Sequence, residues 1–129
     1  MTGETILVVE DEGLIALHLT EILEKAGYRV ISPAYSGEMA LRALETSPKP
    51  DLVLMDIGLA GSLDGIETAR QIKKRSPVPL IFITAYTSEN MLARMREAAP
   101  DGFIIKPFID SELLDLVGKT VGRTATEVS

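Results

Sequence analysis

Cysteine is absent from the 129 residues, which excludes disulfides and thiolate metal sites outright. That absence suits a reducing compartment, and the expected location is the cytoplasm. No apolar run approaches membrane-spanning length, and no basic start leads into an apolar leader, so neither a membrane helix nor a secretory signal is predicted. Positive charge is in deficit: 13 Lys and Arg stand against 19 Asp and Glu, for a formal net charge of −6 and a pI near 4.8. This balance argues against nucleic acid or an anionic membrane as the main partner and suits cations or basic protein surfaces. Internal repeats, low-complexity segments and dividing linkers are also missing. What remains is one domain's worth of ordinary globular sequence, 46% hydrophobic and 25% charged, able to bury roughly two-thirds of its unfolded surface.

Five short apolar runs punctuate the chain: "TILVVE" (Thr5–Glu10), "YRVIS" (Tyr28–Ser32), "DLVLMD" (Asp51–Asp56), "PLIFIT" (Pro79–Thr84) and "GFIIK" (Gly102–Lys106). The first, third and fourth are apolar throughout and do not alternate, which predicts strands buried on both faces of a parallel sheet. The segments between them carry helical periodicity. Gly13–Ala26 sets Ile15, Leu19, Ile22 and Ala26 on one face and stops at Gly27; Ser36–Glu45, Asp64–Arg75, Ser88–Ala98 and Ser111–Val121 follow. Strand and helix alternate five times, predicting an α/β fold of five parallel strands wrapped by helices through right-handed crossovers. The predicted domain covers residues 1–121. The polar, aperiodic "GRTATEVS" of residues 122–129 is expected to fray.

In such a sheet, ligands bind beyond the carboxyl ends of the strands. The first run ends in Glu10, Asp11 and Glu12, the third in Asp56, the fourth in Thr84 and the fifth in Lys106. Each has an ordinary explanation alone. Asp11 would cap the next helix with Glu12 in its first turn, Asp56 would form a turn, Thr84 would cap, and Lys106 would be a solvated strand end. Together they bring three carboxylates, a hydroxyl and an ammonium to one sheet edge. Asp11 and Asp56 offer a few hard oxygen ligands, which suits Mg²⁺ retaining several waters. A divalent cation also relieves the repulsion among Glu10, Asp11 and Asp56. Mg²⁺, an ammonium and a hydroxyl around one carboxylate make a cradle for a phosphoryl group, with Asp56 as the nucleophile.

In order and at suitable separations, "LVVEDE", "LVLMD", the Asp64–Gly65 pair, "FITAY" and "FIIKPF" resemble a two-component response-regulator receiver domain from Thr5 to Val121. The resemblance implies a flavodoxin-like doubly wound (βα)5 fold with strand order 2-1-3-4-5 and helices on both faces. It also implies Asp56 as phosphoacceptor, and Mg²⁺ held by Asp11, Asp56, the backbone carbonyl of Gly58 and, through water, Glu10. Thr84, Lys106 and the backbone amide of Ala85 would contact the phosphoryl oxygens. Thr84 and Tyr86 would form the switch pair, and the Lys106–Pro107 peptide would be cis. A histidine kinase or histidine phosphotransfer protein would donate the phosphoryl group. A downstream protein or a second copy would meet the face made by the fourth helix, fifth strand and fifth helix. No direct nucleic-acid or membrane contact is implied, and the only reactions are the protein's own phosphorylation and dephosphorylation. The loop "DIGLAGSLDG" departs from the common pattern: it lacks the usual proline and is one residue longer before Asp64–Gly65.

Other readings are weaker. A scaffold that keeps the fold without the switch has only the unusual loop in its favour. A hydrolase using an aspartyl phosphate needs a second carboxylate two residues after the nucleophile, where Gly58 stands. His18, the only histidine, falls beside the apolar face of its helix and is expected to be structural. Met91 and Met95, one turn apart, read as packing residues, and "KKR" (Lys73–Arg75) as a solvated helix end. Glycines 58, 61 and 65 do not follow a first strand as GxGxxG, so a dinucleotide site is not predicted.

Overall fold

The computed structural model describes residues 3–46, 49–58, 64–85 and 88–126. Five strands alternate with five helices in chain order. They are β1 (Thr5–Val9), α1 (Gly13–Lys25), β2 (Arg29–Ala34), α2 (Gly37–Ala43), β3 (Leu52–Asp56), α3 (Gly65–Arg75), β4 (Leu80–Thr84), α4 (Glu89–Glu97), β5 (Gly102–Ile105) and α5 (Asp110–Thr126). The strands form one parallel sheet in the order β2-β1-β3-β4-β5, the flavodoxin-like doubly wound arrangement. No helix among the described residues is long and apolar enough to cross a membrane.

Strands β1, β3 and β4 are buried at every residue, because helices cover both faces of the sheet. Alternation along each strand divides its side chains between two cores. Ile6, Val8, Leu52, Leu54, Ile81 and Ile83 pack with α1 and α5. Leu7, Val9, Val53, Met55, Leu80 and Phe82 pack with α2, α3 and α4. Each fully buried aliphatic side chain stabilises the fold by roughly 1.5–3 kcal/mol, so the three central strands carry much of the drive to fold. Edge strand β5 differs: Gly102 and Ile104 are half-buried while Phe103 and Ile105 are exposed.

Local signals in the sequence fix the helix ends. Ser36, Asp64 and Ser88 occupy N-cap positions, and each side-chain oxygen accepts the backbone N–H three residues on. Gly27, at φ +100°, ends α1 where a left-handed residue is needed, with Tyr28 N–H donating to Leu23 O at 3.1 Å. Three details depart from the sequence reading. Helix α5 continues through Thr126, past the Gly122 where fraying is predicted; residues 127–129 lie outside the described residues. At the start of α1, Glu12 itself holds the cap position and makes no side-chain capping bond, so neither an Asp11 cap nor a first-turn Glu12 is observed. His18 is exposed, with Nε2 3.8 Å from Asp110 Oδ1, because α1 buries Ala16, Leu19, Ile22 and Leu23 and turns His18 outward.

Candidate functional site

The carboxyl edge of the sheet gathers the charged strand ends. Glu10 follows the last residue of β1 and is fully buried, while Asp56 closes β3 and is 8% exposed. Asp11, one residue further, is half-buried. These three residues each offer a carboxylate oxygen, and the three oxygens lie within 4.8 Å of one another. From β5, Lys106 reaches across with its Nζ 3.3 Å from Glu10 Oε1 and 3.7 Å from Asp56 Oδ1. Its backbone N–H donates to Thr84 O at 2.8 Å, and the Lys106–Pro107 peptide is cis. Thr84, the last residue of β4, is fully buried. Four strands therefore deliver one constellation.

The backbone after Asp56 folds back over it. Gly58 N–H donates to Asp56 Oδ1 at 3.2 Å, while Gly65 N–H donates to Ile57 O at 3.1 Å. A Cβ at Gly65 would overlap the backbone carbonyl oxygen of Asp56 and the Cα of Ile57, so α3 can start this close to β3 only from glycine. Asp64, just before it, accepts the Glu67 N–H at 2.8 Å through Oδ1 and pairs with Arg94 Nη2 at 2.8 Å through Oδ2. Burial pushes the Asp64 carboxyl up, but the Glu67 N–H and the Arg94 guanidinium outweigh it and hold the group below its ordinary 3.8.

Charge at this edge is frustrated. The Glu10 carboxyl is pushed from its ordinary 4.5 to about 7, chiefly by burial and then by the Asp56 charge; the Glu12 N–H and Lys106 offset only part of this. The Glu12 N–H reaches Glu10 Oε2 at 3.2 Å. Three acids around one ammonium favour a further cation, and the donors present are all oxygens, as Mg²⁺ prefers.

Of the residues singled out in the sequence, Glu10, Asp11, Asp56, Gly58, Thr84, Ala85 and Lys106 sit along this edge. Tyr86 and residues 59–63 of the longer loop lie outside the described residues. Two features were not read from the sequence. One is the sharing of the Lys106 ammonium between Glu10 and Asp56, and the other is the Arg94–Asp64 pair. Neither has a local signature, since the partners stand 96 and 30 residues apart.

The match to known proteins follows the same lines. A family model described as the response regulator receiver domain matches residues 6–118. The transcriptional regulatory protein PdtaR of Mycobacterium tuberculosis is 34% identical over 118 residues, 92% of this chain and 57% of that protein. The chain spans about half the length of the curated relatives it matches. Among solved structures, the signal receiver domain of a modulated diguanylate cyclase from Desulfovibrio desulfuricans G20 is 33% identical with a TM-score of 0.88, covering 97% of this chain and 98% of that one. The receiver domain of a sensor histidine kinase from Pseudomonas aeruginosa, solved with a magnesium ion coordinated in its active-site cleft, is 30% identical with a TM-score of 0.84. That match covers 93% of this chain and 98% of the other.

Proposed function

This chain belongs to the response regulator receiver family, and from that premise we propose that Asp56 accepts a phosphoryl group in a Mg²⁺-dependent signalling switch. The observation that carries the reading is the Lys106 ammonium, 3.3 Å from Glu10 and 3.7 Å from Asp56, among acids and a buried Thr84 delivered by separate strands. The donor is a phosphohistidine on a histidine kinase or a histidine phosphotransfer protein. A carboxylate oxygen of Asp56 attacks phosphorus. The P–N bond breaks, its electron pair stays on nitrogen, and the imidazole leaves, so an acyl phosphate forms on Asp56.

Asp11, Asp56, the Gly58 carbonyl and, through water, Glu10 would hold Mg²⁺. Their fit to it rests on the hard-oxygen donor set, three carboxylates with oxygens within 4.8 Å of one another beside a single ammonium. Bound there, the ion would supply positive charge to offset the negative charge that gathers during phosphoryl transfer. The chain's own residues do the rest. Lys106 holds a positive charge beside the attacking oxygen, and Thr84 and the Ala85 amide donate to the phosphoryl oxygens. Tyr86 follows Thr84 when the switch turns over. The added charge then changes which partner the face of α4, β5 and α5 engages, whether a downstream protein or a second copy.

Incubation with phosphoramidate and Mg²⁺ is expected to add one phosphate, read by intact mass. Asp56→Asn should remove the addition entirely, and EDTA should suppress it in the native chain. Modification that persists unchanged in Asp56→Asn would overturn the assignment.

A further inference from the structure

Helix α4 is lightly anchored. Within its span it buries Met95 alone, whereas α3 buries Gly65, Ile66, Thr68, Ala69 and Ile72. Half-buried Met91 and Leu92 pack against the core that includes Ile66, Ala69 and Ile72, and two ion pairs add to the hold. Arg94 Nη2 meets Asp64 Oδ2 at 2.8 Å, and Glu97 Oε1 accepts from Arg70 Nη2 at 3.1 Å. The first of these pairs has a special place in the chain. Asp64 uses its other oxygen to cap α3, and the next residue, Gly65, is bonded to Ile57 and packed on the backbone of Asp56. The N-terminal cap of α4, Ser88, stands four residues after Thr84. Through Asp64, Arg94 therefore ties α4 to the loop that follows Asp56, and α4 itself follows the loop that begins at Ala85, just after Thr84.

We propose that Arg94 is a positioning residue for phosphoryl transfer: its pair with Asp64 fixes the spacing between the β3–α3 loop and the β4–α4 loop. The inference rests on the phosphoacceptor reading above. On that reading, the first loop supplies the Gly58 carbonyl and the second the Ala85 amide, while the paired strands β3 and β4 themselves set Asp56 beside the end of β4. Phosphoryl transfer is catalysed mainly by placement, and misplacement of about 1 Å between reacting groups can cost on the order of a hundredfold in rate. A half-exposed ion pair adds only about 0–1 kcal/mol to stability, so the rate is where this one should register.

The test uses the full chain, phosphoramidate as donor at varied concentration, and Mg²⁺. Arg94→Gln is expected to lower the maximal phosphorylation rate about two- to fivefold. The half-saturating donor concentration and the Mg²⁺ affinity should stay unchanged. Asp64→Asn keeps an oxygen for the α3 cap and loses the charge, so it should show the same loss, with no further loss in the double variant. Arg94→Lys should recover most of the rate, and the gap between Arg94→Gln and the native chain should narrow at high salt. A native rate in Arg94→Gln, even with a lowered unfolding midpoint, overturns the proposal and leaves the phosphoacceptor reading standing. Losses that multiply in the double variant overturn it as well. Uptake that survives in an Asp56→Asn control overturns the reading and this inference together.

Discussion

Strand β3 begins just after one aspartate and ends on another, and the two have opposite surroundings. At the amino edge, Asp51 closes a ring with Thr5: its N–H donates to Thr5 O at 2.7 Å, and its Oδ2 accepts the Thr5 N–H at 2.8 Å. The same device recurs at Asp101. There the N–H donates to Leu80 O at 2.8 Å, and Oδ2 accepts the Leu80 N–H at 2.7 Å and Lys73 Nζ at 2.9 Å. At the carboxyl edge, Glu10 and Asp56 instead share one ammonium, with Asp11 beside them. The polarity of parallel strands explains the contrast. Their amino ends present N–H groups that welcome a carboxylate, and their carboxyl ends present carbonyl oxygens that do not. Acids at the first edge stabilise the fold on their own. Acids at the second also accept N–H groups, from Glu12 and Gly58, but crowd one another and call for cations, and that is where a phosphoryl site can be built.

The sharpest way to break this comparison is to remove an acid from each edge. Asp101→Ala leaves the N–H of buried Leu80 without its acceptor and removes the Lys73 pair, which should cost about 1–3 kcal/mol in urea unfolding. Asp51→Ala should cost somewhat less, since it loses one such bond. Both should still take up phosphate from a small donor at near-native rates. Asp56→Asn should do the reverse, blocking phosphate uptake while raising the unfolding midpoint by relieving repulsion with Glu10. An Asp101→Ala variant of native stability would refute the division, and so would an Asp56→Asn variant less stable than the native chain.

A further effect comes from Glu10. Its carboxyl is raised in the folded state from 4.5 to about 7, so the fold binds the proton more tightly than the unfolded chain does. In Mg²⁺-free buffer, the stability linked to this group is fully present below pH 4.5 and is lost as pH rises through about 7. Glu10→Gln should flatten that slope, and Mg²⁺ should restore stability to the native chain on the alkaline side, where the carboxylate is charged. Unfolding midpoints compared at about pH 5 and about pH 8 provide the check. Equal slopes in the native chain and Glu10→Gln would show that the crowding at this edge carries no energetic consequence.

The carboxyl edge was legible in the sequence and the amino edge was not. Runs such as "ILVV" and "LVLM" announce strands buried on both faces, and any residue after such a run must emerge at the carboxyl edge. Glu10, Asp56, Thr84 and Lys106 could therefore be placed together from pattern alone. Asp51 and Asp101 carry no comparable signal. Their partners are Thr5 and Leu80, 46 and 21 residues away, and only the sheet register brings them close. His18 was misplaced because helical period gives a face without saying how much of it is covered; α1 leaves Leu14 and Leu17 exposed as well. Helix α5 runs past Gly122 to Thr126 for a related reason. Glycines at 118 and 122 lower helix propensity, but a helix already held by Leu113, Val117 and Val121 propagates at little further cost.

The smallest expected effect also lies at the amino edge, at the end of α4. Ala99 has φ +52°, the one non-glycine with positive φ among the described residues. A side chain in the left-handed region costs roughly 1 kcal/mol relative to glycine, against which glycine's larger unfolded-state entropy must be set. If this edge serves stability alone, Ala99→Gly should raise the unfolding midpoint slightly, by a few tenths to about 1 kcal/mol, and leave phosphate uptake and Mg²⁺ affinity unchanged. A change in uptake rate without a change in midpoint would mean that the strain at Ala99 is transmitted along α4 to Thr84. The amino edge would then no longer count as purely structural, because α4 would connect it to the chemistry at the other end of the sheet.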